Sequence, residues 1–447
     1  MIWFVILMWL QLICHTSCKV HFNEEENTSR VHAFYYLWYG NPEHDGGWKH
    51  WNHEVLPHWE DRINEKFKET VGTLHEPPGR LHSPFYPQLG PYSSRDPMVI
   101  AAHFDMMQQA GISIAVVSWW GRQSNPDSTD TQGVSTDRIL GEVMTILDKL
   151  DSTVKIAFHL EPYPGRSVIT IKEDLEYIYE TYGHHKCIYR TSSTTEMNNG
   201  EFLFYVYDSY HIANVEWARL LTPEGDLSIR GTPQDGVFFG LWLNHYDGRD
   251  LVLGGFDGIY TYFASLGFSH GSSPQNWREI CRYCKTNNMD CSISVGPGYD
   301  DVGIRPWNFH NKKSRLDGKY YERMWNLAIT SGATTVSITS WNEWGEGTQI
   351  EPAATNEELL IYIEQQFQKA NNKIAIKLYE EYPKGEPFYY TNRTLHFVND
   401  FNAYIARGRK IDERNIMPIT DAPDPSTTTG GLKDVSIRNN NGILEYL

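Results

Sequence analysis

Two glutamates stand three positions apart near the end of the chain, in a segment rich in tryptophan and glycine. Glu343 and Glu346 belong to the stretch Trp341-Asn-Glu-Trp-Gly-Glu-Gly-Thr-Gln-Ile-Glu351. In a turn or at a helix start, this spacing puts both carboxylates on one side. Because two close carboxylates repel each other, one of them tends to keep its proton near neutral pH. Glycoside hydrolysis needs such a pair, with one acid for the leaving oxygen and one base or nucleophile.

The same segment also has a purely structural interpretation, as a solvated acidic loop with its tryptophans partly buried below it. Gly345 and Gly347 let the backbone turn sharply there. A Glu-x-x-Glu pair taken alone is weak evidence for catalysis, because acidic loops are common. The position of the segment in the fold therefore has to decide between the two interpretations.

Apolar, strand-like runs alternate with polar loops and helix-like stretches along the chain. The strand-like runs are 32–39, 112–119, 155–160, 202–207, 236–242, 258–263, 291–295 and 335–340. The helix-like stretches are 97–110, 136–150, 171–182, 274–286 and 319–330, with a further piece at 357–368. Between Trp242 and Gly258 the gap is so short that a helix hardly fits. Eight buried strands alternating with helices predict an α/β fold, a (β/α)8 TIM-type barrel, with a doubly wound open sheet as the alternative.

The eighth strand-like run leads directly into the acidic segment. In a barrel of this type, active sites lie at the mouth formed by the C-terminal ends of the strands. The loops after the first two strands are long, and the largest covers residues 41–92. Such insertions usually build or cover a site. This placement favours the catalytic interpretation of Glu343 and Glu346, with Asn342 beside them.

Two other strand ends carry candidates for substrate binding. The second strand ends at Trp119 and Trp120, which predict either a stacking platform for a sugar ring or ordinary barrel packing. The third strand leads into His159 and Glu161. Glu161 is expected to hold a sugar hydroxyl or to orient another group; in the structural alternative it pairs with Arg166.

The segment after the seventh strand contains a further charged candidate. Arg305 follows Asp300 and Asp301 in the order Gly296-Pro-Gly-Tyr-Asp-Asp301 and Arg305-Pro-Trp307. Its guanidinium predicts either a clamp on the substrate or a salt-bridge partner for one of the two aspartates.

Three histidines invite a metal-site interpretation that fails on spacing. His53 and His58 are five positions apart rather than four, and Pro57 breaks the helix that such a zinc site needs. His50 does not repair this pattern. No glycine-rich phosphate loop follows a strand, and no Gly-x-Ser-x-Gly elbow is present. The sequence thus predicts neither a metal nor a cofactor.

The overall composition restricts the class of partner. The net charge of −17 opposes binding to nucleic acid phosphates and to anionic lipid heads. Aromatic residues make up 14% of the chain, which suits stacking on sugar rings but also suits a large β-rich core. Neutral glycans remain compatible with this surface.

The two ends of the chain differ from its middle. Residues 1–18 are predicted to be a signal peptide or a short membrane anchor, because an uncharged apolar run precedes Lys19. Residues 19–375 are predicted to form the catalytic domain. Residues 376–447 form a C-terminal extension that we expect to be disordered from about residue 418.

Cysteines and glycosylation motifs agree with the secretory route. Sequons begin at Asn27 and Asn392, although sequons also occur by chance. Once a signal peptide is removed, four cysteines remain, and we expect one or two disulfides among them. They are Cys187, Cys281, Cys284 and Cys291. The pairing is not deducible, and Cys281-x-x-Cys284 lacks the second half of a zinc site.

Taken together, the ordered motifs resemble those of glycoside hydrolase family 99, the glycoprotein endo-α-1,2-mannosidase family. The similarity spans roughly residues 31 to 370. Besides the segment Trp341 to Glu351, the motifs are 34–40, 48–53, 159–163, 207–210, 257–264, 296–301 and 305–308. These motifs also contain the substrate-binding candidates Tyr36, His50 and Tyr260.

The resemblance implies a barrel enzyme of the Golgi lumen, which cuts the α-1,2-mannosyl linkage inside glucosylated high-mannose N-glycans. Such enzymes release a glucosyl-mannose fragment and retain anomeric configuration through a 1,2-anhydro sugar. By this resemblance, Glu343 is the base that deprotonates the sugar's 2-hydroxyl. Glu346 is the acid on the leaving oxygen and then the base for water.

Two departures from the family pattern bear on these expectations. The family commonly has His where this chain has Gly345, so a neighbouring donor is either missing or replaced. After Trp119, Trp120-Gly-Arg122 stands where animal members usually show Tyr and prolines, near the subsite beyond the cleaved mannose. The alternatives left open are a non-catalytic glycan-binding barrel, an endo-mannanase that prefers mannose in that subsite, and an exo-acting or inverting glycosidase.

Overall fold

The protein forms one closed barrel of eight parallel strands, paired in chain order. The computed structural model describes residues 30–125, 128–130, 132–191, 200–354 and 389–406. The strands are β1 Val31–Tyr35, β2 Ile114–Trp119, β3 Lys155–Leu160, β4 Phe202–Val206, β5 Gly236–Leu241, β6 Gly258–Tyr260, β7 Asp290–Val295 and β8 Thr335–Ile338. Because β1 also pairs with β8, the sheet has no free edge. The predicted (β/α)8 barrel is confirmed, and the open sheet is excluded.

Helices occupy every connection between consecutive strands. They are α1 Pro42–Asp45, α2 Asp61–Phe67, α3 Pro97–Gln109, α4 Thr136–Leu150, α5 Val168–Tyr182, α6 Asn214–Leu221, α7 Asp247–Gly254, α8 Pro274–Thr286, α9 Lys319–Ile329 and, after β8, α10 Tyr389–Ala406. The expectation that no helix fits between Trp242 and Gly258 is wrong. Helix α7 fits because it has only eight residues and ends at Gly255 in a left-handed conformation, with φ at 83°.

Side chains alternate between the inside of the barrel and the layer under the helices. In β2, Ile114 and Val116 belong to the cluster inside the barrel. Ala115, Val117 and Trp119 belong to the cluster between the strands and the helices. This alternation decides which residues at a strand end face the mouth.

Helix α10 belongs to the outer layer of the barrel, although it lies within the predicted extension 376–447. It contacts helices α3 and α9. Phe397 is buried and stacks on Trp325, with ring centroids 5.6 Å apart. Thr394, the third residue of a sequon, is buried with its hydroxyl 3.0 Å from that of Tyr321.

The predicted segments 1–18, 357–368 and 418–447 lie outside the described residues. Among the helices of the described ranges, none combines the length and the apolar composition that a membrane span requires.

One disulfide joins Cys281 of α8 to Cys291 of β7. Cys187 and Cys284 are buried thiols. Burial raises the pKa of Cys284 to about 12, with a further contribution from the charge of Asp290. A thiol in this state is unreactive at neutral pH.

Candidate active site

The two glutamates stand on a tight turn at the mouth of the barrel. After β8 the chain passes through Glu343, with φ at −83° and ψ at 82°, into a single 3-10 turn over Trp344–Glu346. Gly347 closes the turn in the left-handed region, with φ at 60°. The hydroxyl of Ser340 accepts a hydrogen bond from the Glu343 amide at 2.8 Å. Both carboxylates remain partly exposed while the residues around them are buried.

A pair of tyrosines contacts Glu343. The hydroxyl of Tyr262 donates to Glu343 Oε2 at 3.3 Å. The hydroxyl of Tyr36 forms a hydrogen bond with that of Tyr262, so the two phenols form a short chain that ends at the carboxylate. Burial raises the pKa of Glu343 well above its ordinary value, and the nearby charge of Glu346 raises it further. Burial and the charge of Glu346 therefore favour the protonated form of Glu343.

A cation lies beside the second glutamate. Nη1 of Arg305 is 3.2 Å from Glu346 Oε1 and 3.2 Å from Asp301 Oδ2. Burial raises the pKa of Glu346, and the guanidinium of Arg305 opposes that rise. Of the alternatives left open by the sequence, Arg305 pairs with Asp301. Asp300 instead pairs with Lys312 at 2.6 Å.

Below the turn, a third glutamate anchors the indole between the two catalytic candidates. The Glu351 side chain is fully buried and accepts three hydrogen bonds. His103 Nε2 lies 3.0 Å away, the Tyr92 hydroxyl 2.7 Å away and Trp344 Nε1 2.9 Å away. The other ring nitrogen of His103 lies 3.0 Å from the Tyr35 hydroxyl. A buried carboxylate is costly without hydrogen-bond partners, so breaking its bond to the Trp344 indole would be unfavourable. This bond therefore fixes the position of Trp344.

Asn342 fixes the turn from the opposite side. Its Oδ1 accepts from the Tyr36 amide at 2.8 Å, and its Nδ2 donates to the Tyr36 carbonyl at 2.9 Å and to the Tyr92 hydroxyl at 3.2 Å. The residue is completely buried. The Asn342 amide thus joins the end of β1 to the turn, and its contact with substrate stays a prediction.

The two tryptophans that follow each other after β2 have different roles. Trp119 is 1% exposed, and its indole nitrogen donates to Asp137 of α4 at 2.8 Å. It belongs to the packing between barrel and helix, which favours the packing alternative over the stacking platform. Trp120 is partly exposed, and its backbone amide donates to the Thr136 hydroxyl at 3.1 Å. Trp120 remains a candidate for substrate contact.

His159, Glu161 and Tyr260 form a buried polar wall next to the tyrosine chain. His159 Nε2 lies 3.0 Å from the Tyr260 hydroxyl, and the Ser118 hydroxyl donates to Glu161 Oε1 at 2.8 Å. His159 Nδ1 lies 2.9 Å from the same oxygen, but without the geometry of a hydrogen bond. Arg166 donates to three backbone carbonyls and forms no ion pair with Glu161 among the described contacts. His159, Glu161 and Tyr260 remain candidates for substrate contact beside the tyrosine chain.

His50 is held by partners that the sequence did not indicate. Its Nε2 lies 2.6 Å from Asp130 Oδ2. Its ring stacks on Trp38 at 4.4 Å, and Trp38 in turn stacks on Tyr36 at 4.5 Å. This aromatic series extends the site from Glu343 toward the long loop after β1.

The three histidines considered as metal ligands, His50, His53 and His58, each have another partner. His53 Nδ1 contacts its neighbour's carbonyl at 2.7 Å, and His58 Nδ1 accepts from the Glu60 amide at 2.9 Å. Within the described residues, one group has metal-ligand spacing, formed by Asp148, His185 and Cys187. Its atoms already bond to one another and to a nearby carbonyl, outside the barrel.

Gly345 is required by space rather than by backbone conformation. A Cβ at this position would lie 2.6 Å from Ile304 Cδ1 and 2.8 and 2.9 Å from two ring atoms of His82. The imidazole of His82 thus occupies the place beside residue 345, from the long loop after β1. Burial, followed by the charges of neighbouring histidines, lowers the pKa of His82 well below its ordinary value, so the ring is neutral.

The model of glycosyl hydrolase family 99 matches residues 27–403 of this sequence. The chain belongs to this family. It is thus a glycoside hydrolase, and the resemblance seen in its motifs is confirmed.

Relatives of known name cover most of the chain. A rat glycoprotein endo-alpha-1,2-mannosidase is 44% identical over 369 residues, which is 82% of this chain and 77% of the relative. A human glycoprotein endo-alpha-1,2-mannosidase-like protein is 43% identical over 374 residues, which is 83% and 76% of the two chains. The solved family 99 endo-alpha-mannosidase of Bacteroides thetaiotaomicron superposes with a TM-score of 0.69 at 37% identity, covering 84% of this chain and 98% of that one.

Several residues of the site escaped the analysis of the sequence. Tyr262 stands two positions after Tyr260, so strand alternation could have indicated that both face the mouth. Tyr92, His103 and Glu351 come together from distant parts of the chain. Their spacing carries no signal of the contact.

Proposed function

We propose that this hydrolase is a retaining, endo-acting α-1,2-mannosidase that cleaves glucosylated high-mannose N-glycans and releases a glucosyl-mannose fragment. The observation that carries the proposal is the turn with Glu343 and Glu346 at the barrel mouth, contacted by Tyr262 and Arg305. The names of the rat and human relatives support the choice of linkage.

The proposed reaction has two steps, and neither forms a bond between sugar and enzyme. First, the Glu343 carboxylate takes the proton of the mannose 2-hydroxyl while O2 attacks C1. The bond from C1 to the leaving oxygen breaks as Glu346 donates its proton to that oxygen. Next, Glu346 takes a proton from water, whose oxygen attacks C1. The C1–O2 bond then opens, and Glu343 returns its proton to O2.

The surroundings of the two carboxylates shift their pKa values unequally. The pKa of Glu343 is raised well above its ordinary value, whereas Arg305 counteracts the rise for Glu346. The proposed roles require the proton on Glu346 when substrate is bound. Exchanged roles of the two glutamates are the alternative to be tested.

We propose the secretory pathway, and within it the Golgi lumen, as the location. The disulfide between Cys281 and Cys291 supports an oxidising compartment. The apolar residues 1–18 and the sequons agree with this route. The net charge of −17 opposes nucleic acid as a partner. Any membrane association is proposed to pass through the N-terminal segment alone.

The decisive experiment offers the enzyme a monoglucosylated high-mannose oligosaccharide and identifies the product. We expect a released glucosyl-mannose disaccharide whose first-formed anomer has the substrate's configuration. Glu343→Gln and Glu346→Gln should each abolish release, while Glu322→Gln, an exposed position on α9, serves as the matched control. Binding without turnover by the folded wild-type protein would instead identify a glycan-binding barrel.

A second substrate separates the roles of the two glutamates. A glucosyl-mannosyl donor with a dinitrophenyl leaving group needs no protonation of that group. If Glu346 is the acid, Glu346→Gln should keep substantial activity in the first step on this donor, and Glu343→Gln should not. The opposite pattern would establish exchanged roles. Replacing the terminal glucose of the donor by mannose tests whether the subsite near Trp120 prefers glucose or mannose.

A further inference from the structure

Three aromatic rings pack together next to the segment that carries Arg305, and one of them, Trp59, is largely exposed. Trp59 is 68% exposed. Its ring stacks on His58 with centroids 3.8 Å apart and meets Trp307 edge-on at 5.3 Å. His58 and Trp307 are 4.7 Å apart, nearly perpendicular. We call His58, Trp59 and Trp307 the aromatic shelf.

Two members of the shelf, His58 and Trp307, are fixed by hydrogen bonds, and Trp59 packs on both of their rings. The His58 amide donates to the Asn64 side chain, and His58 Nδ1 accepts from the Glu60 amide at 2.9 Å. The Trp307 indole nitrogen donates to the Leu56 carbonyl at 3.2 Å. A rigid aromatic face binds a partner with little loss of side-chain entropy.

The shelf is also connected to the catalytic turn. The Leu56 amide donates to the Ile304 carbonyl at 2.8 Å, and Ile304 packs beside Gly345. Trp307 stands two residues after Arg305, whose guanidinium contacts Glu346. The loop that carries Trp307 therefore also carries a contact of the leaving-group glutamate.

We propose that the aromatic shelf binds a hexose of the glycan that lies beyond the two sugars joined by the cleaved bond. This inference rests on the proposed function. The C–H face of a hexose is apolar, and an exposed indole offers it a flat surface with a polar edge. The shelf is the size of one or two rings, smaller than the wide apolar patches typical of protein partners. A neutral ligand also suits the acidic chain.

The test compares two substrates in each variant. One is the glucosyl-mannosyl donor with an aryl leaving group, and the other is the complete monoglucosylated high-mannose oligosaccharide. Trp59→Ala should lower the ratio of kcat/KM for the long substrate to that for the short one by about five- to tenfold, through KM, as expected for loss of one aromatic contact. Trp59→Phe should restore part of the ratio. Leu150→Ala, an exposed position at the end of α4, should leave the ratio unchanged.

Three outcomes would overturn the proposal that the aromatic shelf binds a hexose. Equal losses on both substrates would mean that Trp59 only supports the fold. An unchanged ratio would mean that the rings touch no sugar. A loss confined to glycoprotein substrates, with the free oligosaccharide unaffected, would assign the shelf to polypeptide. If the wild-type enzyme cleaves neither substrate, the proposed function fails; calorimetry of the oligosaccharide with wild type and Trp59→Ala then tests the shelf alone.

Discussion

Gly345→Ala is the smallest perturbation that tests how the catalytic turn is packed. The added Cβ would lie 2.6 Å from Ile304 and 2.8 Å from the nearest ring atom of His82. Carbon atoms in contact prefer about 3.5–4.0 Å, so these neighbours must retreat by roughly 1 Å. Overpacking of this kind costs about 1–3 kcal/mol, less about 0.4–1 kcal/mol that alanine gains by restricting the unfolded chain. We expect the free energy of unfolding to fall by about 1.5 kcal/mol in total.

The same overpacking should also displace the Glu346 carboxylate, because residue 345 directly precedes Glu346 in the turn. A displacement approaching 1 Å at a reacting group can lower the rate by about a hundredfold, so we expect kcat/KM to fall by at least about tenfold. His82→Ala removes the ring that the new methyl group meets. In the double variant the clash with His82 is relieved while the contact with Ile304 remains, so part of both losses should return.

The assay is a double-mutant cycle on unfolding by denaturant, with kcat/KM measured on the same four proteins. The reasoning requires a coupling of about 1 kcal/mol or more between positions 345 and 82. Additivity to within about 0.5 kcal/mol would refute the placement of His82 against Gly345. So would a Gly345→Ala variant as stable and as active as wild type.

Three further predictions concern the surroundings of the turn. Tyr92→Phe removes one of the three donors to the buried Glu351 carboxylate, and denaturant unfolding should show a loss of about 2 kcal/mol. Arg305→Gln removes the charge that holds down the pKa of Glu346, so the alkaline limb of the pH–rate profile should move upward if Glu346 is the acid, and Arg305→Lys should move it less. Burial lowers the pKa of His53 to about 4 in the folded protein, from an ordinary value of about 6.5. As pH falls from about 6.5 toward 4, the unfolded chain therefore binds a proton at His53 before the folded protein does, and the free energy of unfolding decreases. The advantage of wild type over His53→Gln in free energy of unfolding should shrink across this window.

The barrel could be predicted from the sequence because each strand leaves a local signal. Strand β3 and helix α8 begin and end at the predicted residues. The first strand ends at Tyr35, although the apolar run continues to Tyr39. Its continuation is apolar for another reason: Tyr36 and Tyr39 bond to the segment after β8. Hydrophobicity reports burial, not membership of a sheet.

The sequence predicts which segments lie at the site better than it predicts the contacts made by each side chain. Position after a strand led to the prediction of Glu343 and Glu346 as the catalytic pair. It did not show which of two successive residues faces the mouth, so stacking and packing both stayed open for Trp119, which alternation places under α4. The bond from Tyr92 to Glu351 joins residues 259 positions apart. No local pattern encodes such a contact.

The long loop after β1 meets the segment after β8 at several independent points. His82 lies against Gly345, Tyr92 bonds to Glu351, and Pro87 forms a β-bridge with Ala353. Neither segment can therefore vary freely while the other stays fixed. A chimera that exchanges residues 41–92 between relatives would bring the wrong partners to the turn unless residues 340–354 were exchanged with them. The two segments therefore act as one structural unit, although a large part of the chain separates them.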